Sequence, residues 1–390
     1  MRAGTHTGTG GAAAVCCIVG ARPNFMKMAP VLEALRARPS LAPFLVHTGQ
    51  HYDDAMSRVF FEELGLPRPD HDLGVGSGSH AVQTAGVMVA LDRLLDERPA
   101  DLVVVVGDVN STLAGALVAS KRGIPVAHVE AGLRSRDRGM PEELNRIVTD
   151  ALADLLFATC SDAVENLLLE GVPRERIHLT GNPMIDTLRR HVAAARRREV
   201  AGRFGLPARG FALVTLHRPS NVDDPERLGA IVDRMEEIGA SLPVLFPVHP
   251  RTRDRLARLG RVDRGGVRYI EPLGYPDFLG LLDACRFVLT DSGGIQEEST
   301  ALGVPCLTLR ANTERPVTVT EGTNRLVGEY LDALPGYVGE ILRGPARGRT
   351  GPALWDGRAG ERIAAVLDAY LEDPLPRGLT APEMVDKLND

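Results

Sequence analysis

Ser292, Gly293 and Gly294, followed by Glu297 and Glu298, have the types and spacing to hold a nucleotide. They come after a β-branched apolar run, Phe287 to Leu289, so a buried strand should end there and a helix begin with Ser292 as its N-cap. Paired glycines let a ligand approach the backbone closely, and the N–H groups and positive dipole end of the helix suit a phosphate. Two carboxylates one turn further in can accept hydrogen bonds from ribose hydroxyls. An ordinary strand-to-helix turn has the same composition.

Asp108, Glu130 and Glu142 are acids on three separate turns of the first half. Moving a proton to and from carbon on both faces of a sugar needs at least two positioned groups, and carboxylates pooled in a closed cleft, with raised pKa values, suit that work. His217 can protonate or hydrogen-bond a departing phosphate near neutral pH. Arg22 and Lys27, flanking an early turn, and Arg218 beside His217 can neutralise a diphosphate. Taken singly, each has a plainer explanation: an N-cap for Asp108, a first-turn acid after Pro141 for Glu142, a loop charge for Glu130, a structural imidazole for His217, and solvated cations. Spacing alone therefore stops at a nucleotide-ligand protein.

Such groups meet only if the elements carrying them converge. Apolar β-branched runs alternate with longer helical patterns, which predicts an α/β fold of parallel sheets with helices on both faces. Strands are expected near 15–19, 45–47, 102–106, 126–128, 155–159 and 177–180, and again near 211–215, 244–246, 267–270, 287–290 and 306–309. An Arg/Ala-rich helix, 184–203, lies between the two series and ends at Gly205 and Pro207. The expected division is an extension 1–14, domains 15–183 and 208–358 joined by a linker 184–207, and a tail 359–390. Gly107-Asp108, helix, Gly123-Ile-Pro125 and strand in the first half parallel Thr290-Asp291, helix, Gly303-Val-Pro305 and strand in the second. Arg22, Gln50, His51, Asp108, Glu130, His217, His249, Ser292, Glu314 and Arg315 each follow a strand end, where parallel α/β sheets bind ligands. Two such edges facing each other would make a cleft.

At 390 residues the chain fits two domains, and its 44% hydrophobic and 25% charged content is that of a globular protein. Arginines scattered among acids, at a net charge of −6, form no nucleic-acid stripe. No run is long enough to span a membrane, and the short apolar run leading into Arg22 makes no signal peptide. Five cysteines without a C-x-x-C pattern suggest neither a disulfide framework nor zinc, which suits a reducing cytoplasm. Gly8, Gly10 and Ala13 match a dinucleotide fingerprint but precede the first strand; Gly74, Gly76 and Gly78 show no clear strand before them.

Several ordered motifs carry a resemblance. Gly20-Ala-Arg-Pro-Asn-Phe-Met-Lys-Met-Ala-Pro30, His47-Thr-Gly-Gln-His51, Gly107-Asp-Val-Asn-Ser-Thr112, His128-Val-Glu-Ala-Gly-Leu-Arg134, Met140-Pro-Glu-Glu-Leu-Asn-Arg146, Thr215-Leu-His-Arg218, Thr290-Asp-Ser-Gly-Gly-Ile-Gln-Glu-Glu298 and Thr313-Glu-Arg-Pro316 resemble the non-hydrolysing UDP-N-acetylglucosamine 2-epimerases. The resemblance implies a GT-B fold, two Rossmann-like domains with the active site between them, and a C-terminal helix near 359–370 crossing back onto the first. It implies Asp108, Glu130 and Glu142 as catalytic acids and bases, and His217 as a catalytic or diphosphate-contacting group. Arg22, Lys27, His249, Ser292, Gly293, Gly294, Glu298 and Arg325 would bind substrate, with Glu298 on the ribose. The reaction implied is anti elimination of UDP to 2-acetamidoglucal and re-addition after protonation of the other face of C2, with no cofactor and no metal. The expected partners are a UDP-sugar and a second copy of the chain in a homodimer, without nucleic acid or membrane. Ala21 and Asn24 depart from the family's Gly-Thr-Arg-Pro-Glu. Tyr52, Asp53 and Asp54 depart from the Gln-His-Arg-x-Met of members activated by a second UDP-GlcNAc, so weak or absent regulation is expected. Ala21 and Gln50-His51-Tyr52 are similar to relatives acting on UDP-2,3-diacetamido-glucuronate. A GT-B glycosyltransferase, a hydrolysing epimerase and a sensor without turnover stand as alternatives.

Overall fold

The computed structural model describes residues 11–49, 68–261, 265–328, 330–345, 347 and 351–374. Two wholly parallel sheets organise them. The first has strands β1 (Ala13–Val19), β2 (Leu41–His47), β3 (His71–Asp72), β4 (Leu102–Val106), β5 (Val126–Ala131), β6 (Leu155–Ala158) and β7 (Ile177–Leu179), in spatial order 3-2-1-4-5-6-7. The second has β8 (Ala212–Thr215), β9 (Val244–Pro247), β10 (Val267–Ile270), β11 (Phe287–Thr290), β12 (Cys306–Thr308) and β13 (Asn324–Leu326), in order 10-9-8-11-12-13. Both follow the doubly wound Rossmann order, which reverses between β1 and β4 and between β8 and β11.

The continuous apolar runs exist because both sheet faces are covered. Val15, Cys17 and Val19 of β1, with Leu102, Val104 and Val106 of β4, enter the core on one face. Cys16, Ile18, Val103 and Val105 enter the core on the other. The second sheet divides in the same way, Phe287 and Leu289 facing one core and Val288 the other. Each fully buried side chain of this size contributes roughly 1.5–3 kcal/mol.

Two helices join the halves. Helix Pro183–Arg197 packs on the first helix, Arg22–Arg36, and on Tyr275–Ala284 of the second half. The expected continuous helix 184–203 is broken because Glu199 adopts φ 46°, and a short helix Val200–Arg203 follows. Helix Ala359–Glu372 returns to the first half, burying Ile363, Leu367 and Tyr370 in its core. Gly360 permits that approach, since a Cβ there would lie 2.5 Å from the Pro30 carbonyl oxygen. Asp186 caps the returning helix, accepting from Ala359 N at 3.1 Å and Gly360 N at 2.8 Å. No helix among the described residues is long and apolar enough to cross a membrane.

Candidate active site

The two points of strand-order reversal carry most of the expected groups. After β1, Asn24 Oδ1 accepts from Ala21 N at 2.9 Å while its Nδ2 donates to the Val106 carbonyl at 3.0 Å, tying the first turn to the end of β4. That tie fixes the start of helix Arg22–Arg36, whose Lys27 is buried and ion-paired with Glu130. Only the backbone of Arg22 is described, as the first residue of this helix. Glu130 sits at a bulge, where the pairing of β5 with β6 shifts register between Val129 and Ala131, and takes φ 73°. A left-handed glutamate is strained, and such strain clusters at functional sites.

Asp108 follows left-handed Gly107 and pairs with Arg146, while its carbonyl accepts from Asn145 Nδ2 at 2.9 Å. Burial pushes the Asp108 pKa up, but Arg146, with Lys27 and Arg315 behind it, outweighs burial and holds the carboxyl below its usual value. The expectation of a raised pKa therefore fails for Asp108, because three cations converge on it. Glu142 is half-buried on the first turn of helix Pro141–Leu152. Its neighbour Glu143 does the structural work, accepting from Ser135 N at 2.9 Å and Arg136 N at 2.8 Å. Burial, then the Arg310 guanidinium, lower the Arg218 pKa; Glu142 is among the acids offsetting them, which places it within electrostatic reach of the second half.

In the second half, buried Asp291 gathers the β8 turn. It accepts from His217 N at 3.1 Å, Arg218 N at 3.0 Å and Asn221 Nδ2 at 3.1 Å, and its Oδ1 lies 3.0 Å from His217 Nδ1. The His217 side chain is 59% exposed, so the carboxylate fixes one edge of the ring and leaves the rest exposed. Burial raises the Asp291 pKa, but the hydrogen bond and charge of His217, with the amides, bring it below the usual range. Ser292 is the N-cap residue of helix Gly293–Leu302, yet its side chain makes no capping bond. A Cβ at Gly293 would come 2.7 Å from both Arg315 Nη1 and Glu314 Oε1, whereas at Gly294 nothing is nearer than Met184 Cε at 3.9 Å.

Glu298 is buried, with Tyr275 donating its hydroxyl to Oε1 at 2.8 Å. Burial pushes its pKa up to about 7, the Tyr275 hydrogen bond works against that, and Glu297 adds to it. Glu297 is occupied elsewhere, by Asn182 Nδ2 at 2.9 Å and Arg315 Nε at 2.8 Å. Arg315 also binds Glu314, and its Nη2 reaches Glu130 Oε1 at 2.9 Å.

Asp108, Glu130 and Lys27 thus meet in the first half, His217, Ser292 to Gly294 and Glu298 lie in the second, and Arg315 joins the two. Sequence reasoning noted Arg315 at a strand end but gave it no role. Asp291 was signalled by its match to Asp108 in the repeated strand, Asp turn and helix unit and by its place in the Thr290 to Glu298 motif, and was given no role. His249 is exposed and directly precedes helix Pro250–Arg258. Arg325 is not brought to the cluster: it lies on edge strand β13, 2.6 Å from Glu340 and over the Tyr337 ring at 4.5 Å. Gln50, His51, Tyr52, Asp53 and Asp54 lie outside the described residues, and no metal-ligand cluster occurs among those described.

Residues 33–368 match the family model described as UDP-N-acetylglucosamine 2-epimerase. The UDP-N-acetylglucosamine 2-epimerase of Methanocaldococcus jannaschii is 43% identical over 359 residues, covering 90% of this chain and 97% of its own. The UDP-2,3-diacetamido-2,3-dideoxy-D-glucuronate 2-epimerase of Pseudomonas aeruginosa is 42% identical over 358 residues, 90% of this chain and 99% of its own. The M. jannaschii UDP-GlcNAc 2-epimerase in complex with UDP-GlcNAc and UDP superposes with a TM-score of 0.82 at 41% identity, over 91% of this chain and 99% of that one. Fold and sequence both match over about nine-tenths of the chain, and the chain belongs to the UDP-N-acetylglucosamine 2-epimerase family.

Proposed function

We propose that this protein is a non-hydrolysing UDP-N-acetylglucosamine 2-epimerase, interconverting UDP-GlcNAc and UDP-ManNAc. The observation that carries the reading is the Arg315 to Glu130 contact, which sets the acids of one half opposite the nucleotide cradle of the other. Ser292, Gly293 and Gly294 receive the diphosphate with Arg22 and Lys27, Glu298 takes the ribose, and His249 lines the same edge. An acid among Asp108, Glu130 and Glu142 removes the C2 proton. The C–H electrons form the C1–C2 double bond as the C1–O bond breaks, and UDP leaves against His217. Asp108, kept ionised by Arg146, suits the base. Protonation of the other face of C2 from a second acid, with return of the UDP oxygen to C1, completes the inversion. This scheme uses neither a hydride acceptor nor a metal.

The proposed division is 15–183 and 208–358 around the linker 184–207, with 359–390 returning to the first part. A homodimer is supported by one helical face: Val82 and Val89 of helix His80–Glu97, and Leu144 and Val148 of Pro141–Leu152, are exposed on either side of helix Asn110–Arg122. A cytoplasmic enzyme is consistent with five free buried cysteines. The P. aeruginosa relative supports a second reading in which the sugar is UDP-2,3-diacetamido-glucuronate.

Proton NMR of each UDP-sugar with the enzyme in D₂O decides among these. Deuterium at C2 of a still UDP-linked sugar is expected, and the sugar turned over faster is the substrate. Release of free N-acetylmannosamine would mean a hydrolysing enzyme, and no exchange a sensor or glycosyltransferase. Asp108→Asn, Glu130→Gln and Glu142→Gln should each lower turnover about 10²-fold or more; near wild-type rates in all three would overturn the assignment.

A further inference from the structure

We propose that the buried His128 and Asp150 pair is a positioning device for the proton-transferring acids; this rests on the assignment of Asp108 and Glu130 to chemistry at C2. His128, fully buried in β5, lies between two acceptors. Its Nδ1 is 2.6 Å from Asp150 Oδ1 and its Nε2 is 2.8 Å from the Gly107 carbonyl oxygen. Asp150 Oδ2 accepts from Gly132 N at 3.0 Å and from Arg134 Nη1 at 2.7 Å. Burial works to raise the Asp150 pKa, but His128 and then Arg134 outweigh it, so the carboxylate stays ionised. The Gly107 carbonyl oxygen can only accept, so His128 Nε2 donates to it and Nδ1 faces Asp150.

What the pair grips are the residues on either side of the two acids. Gly107, at φ 69°, immediately precedes Asp108; Glu130, at φ 73°, lies between His128 and Gly132, at φ 82°. A glutamate keeps such a conformation only where its surroundings over-determine it. Gly132 is required in its place, since a Cβ there would lie 2.3 Å from the Ala163 carbonyl oxygen. Helix Pro141–Leu152 carries Asp150 near one end, Glu142 in its first turn, and between them Asn145 and Arg146, which hold Asp108. One helix therefore sets the spacing of all three acids, and the His128 bond to Gly107 closes the frame. Neither His128 nor Asp150 touches the nucleotide cradle, so their loss should change rate and not affinity.

The test uses the full chain and compares His128→Gln, His128→Asn and Asp150→Asn by kcat and KM for UDP-GlcNAc, by UDP affinity in calorimetry, and by thermal unfolding. A glutamine amide reaches the position of Nε2 and can still donate to Gly107, whereas an asparagine amide replaces Nδ1 and loses that bond. His128→Asn and Asp150→Asn should lower kcat about 10-fold or more with KM and UDP affinity within about 2-fold, and His128→Gln should restore part of the loss. If Asp150→Asn does not fold, the His128 pair decides. Folded His128→Asn with wild-type kcat, or a loss confined to KM, would overturn the proposal while leaving the acids in place. Asp108→Asn and Glu130→Gln run alongside: unchanged kcat in both would overturn the underlying assignment and this proposal with it.

Discussion

Arg315 Nη2 lies 2.9 Å from Glu130 Oε1, so a guanidinium from beyond β12 of the second sheet is bonded to a carboxylate at the bulge of β5 in the first. The same fork holds Glu297 and Glu314, and all four side chains are buried. Removing one member of a buried ion cluster leaves uncompensated charge, at about 3–5 kcal/mol. Lysine at position 315 would keep the charge but lose the fork that serves three carboxylates. Arg315→Lys should therefore lower both melting temperature and kcat/KM, the latter about 10-fold or more. Arg325→Ala breaks a half-exposed pair with Glu340, worth roughly 0.2–1 kcal/mol, and a stacking contact on Tyr337, both away from the cluster, and should leave kinetics near wild type. A larger kinetic loss in Arg325→Ala than in Arg315→Lys would reverse these roles.

The buried Asp291 carboxylate fixes the His217 ring through Nδ1 and also accepts two backbone N–H groups. Asparagine keeps its shape but can accept through one atom only, so the ring is free to rotate or to change tautomer. If His217 assists the departing diphosphate, Asp291→Asn should cost about 10² in kcat while UDP affinity changes little. A variant that loses affinity but keeps kcat would show that Asp291 shapes only the binding turn.

Much of this arrangement was legible in the sequence because parallel sheets write themselves as unbroken apolar runs. Both long strand series and the strand-end position of the polar groups followed from that. Strand β3 was missed because His71–Asp72 is two polar residues, and it supplies the strand that seemed absent before Gly74. Strand β13, Asn324–Leu326, was missed for a similar reason: an edge strand of three residues carries too little pattern. Charge pairing was the least legible feature. Glu130 and Arg315 are 185 residues apart, and nothing local distinguishes Arg315 from Arg325 or shows that Glu297 is already occupied. The pKa of Asp108 depends on the same long-range meeting.

Glu298 gives a pH dependence with a definite sign. A ribose diol needs an ionised acceptor, and burial has pushed this carboxyl up to about 7. UDP-GlcNAc affinity should therefore rise between pH 6 and 8 and then level off, with proton uptake by buffer on binding below the inflection. The sugar diphosphate itself carries no group that titrates near neutrality. Because the Tyr275 hydrogen bond opposes the rise, Tyr275→Phe should move the inflection to higher pH. For the fold the sign is opposite: a carboxyl that holds its proton more tightly when folded stabilises the protein fully below its unfolded value, and loses that contribution as pH rises through about 7. Calorimetry in buffers of different ionisation enthalpy checks the binding claim; a flat profile for both proteins would remove Glu298 from the ribose.

Diphosphate binding should close the cleft. The proposed phosphate cradle at Ser292 to Gly294 belongs to one half and the proposed acids Asp108, Glu130 and Glu142 to the other, so on this reading neither half alone assembles the site. Lys27 already pairs with Glu130, and Arg315 reaches the same carboxylate from the second half. A diphosphate on the cradle would draw these cations together and exclude water, which a glycal intermediate requires if UDP is to be retained. Gly294 permits a clean test, since a Cβ there meets nothing nearer than Met184 Cε at 3.9 Å, whereas one at Gly293 would collide with Arg315 and Glu314. Gly294→Val should fold normally and fail to bind UDP, while Gly293→Val should also lose stability. In small-angle scattering, saturating UDP should reduce the radius of gyration of the wild type, uridine should do so poorly, and UDP should leave Gly294→Val unchanged. Equal radii for free, uridine-bound and UDP-bound wild type, with saturation verified by calorimetry, would show that the halves do not move on binding.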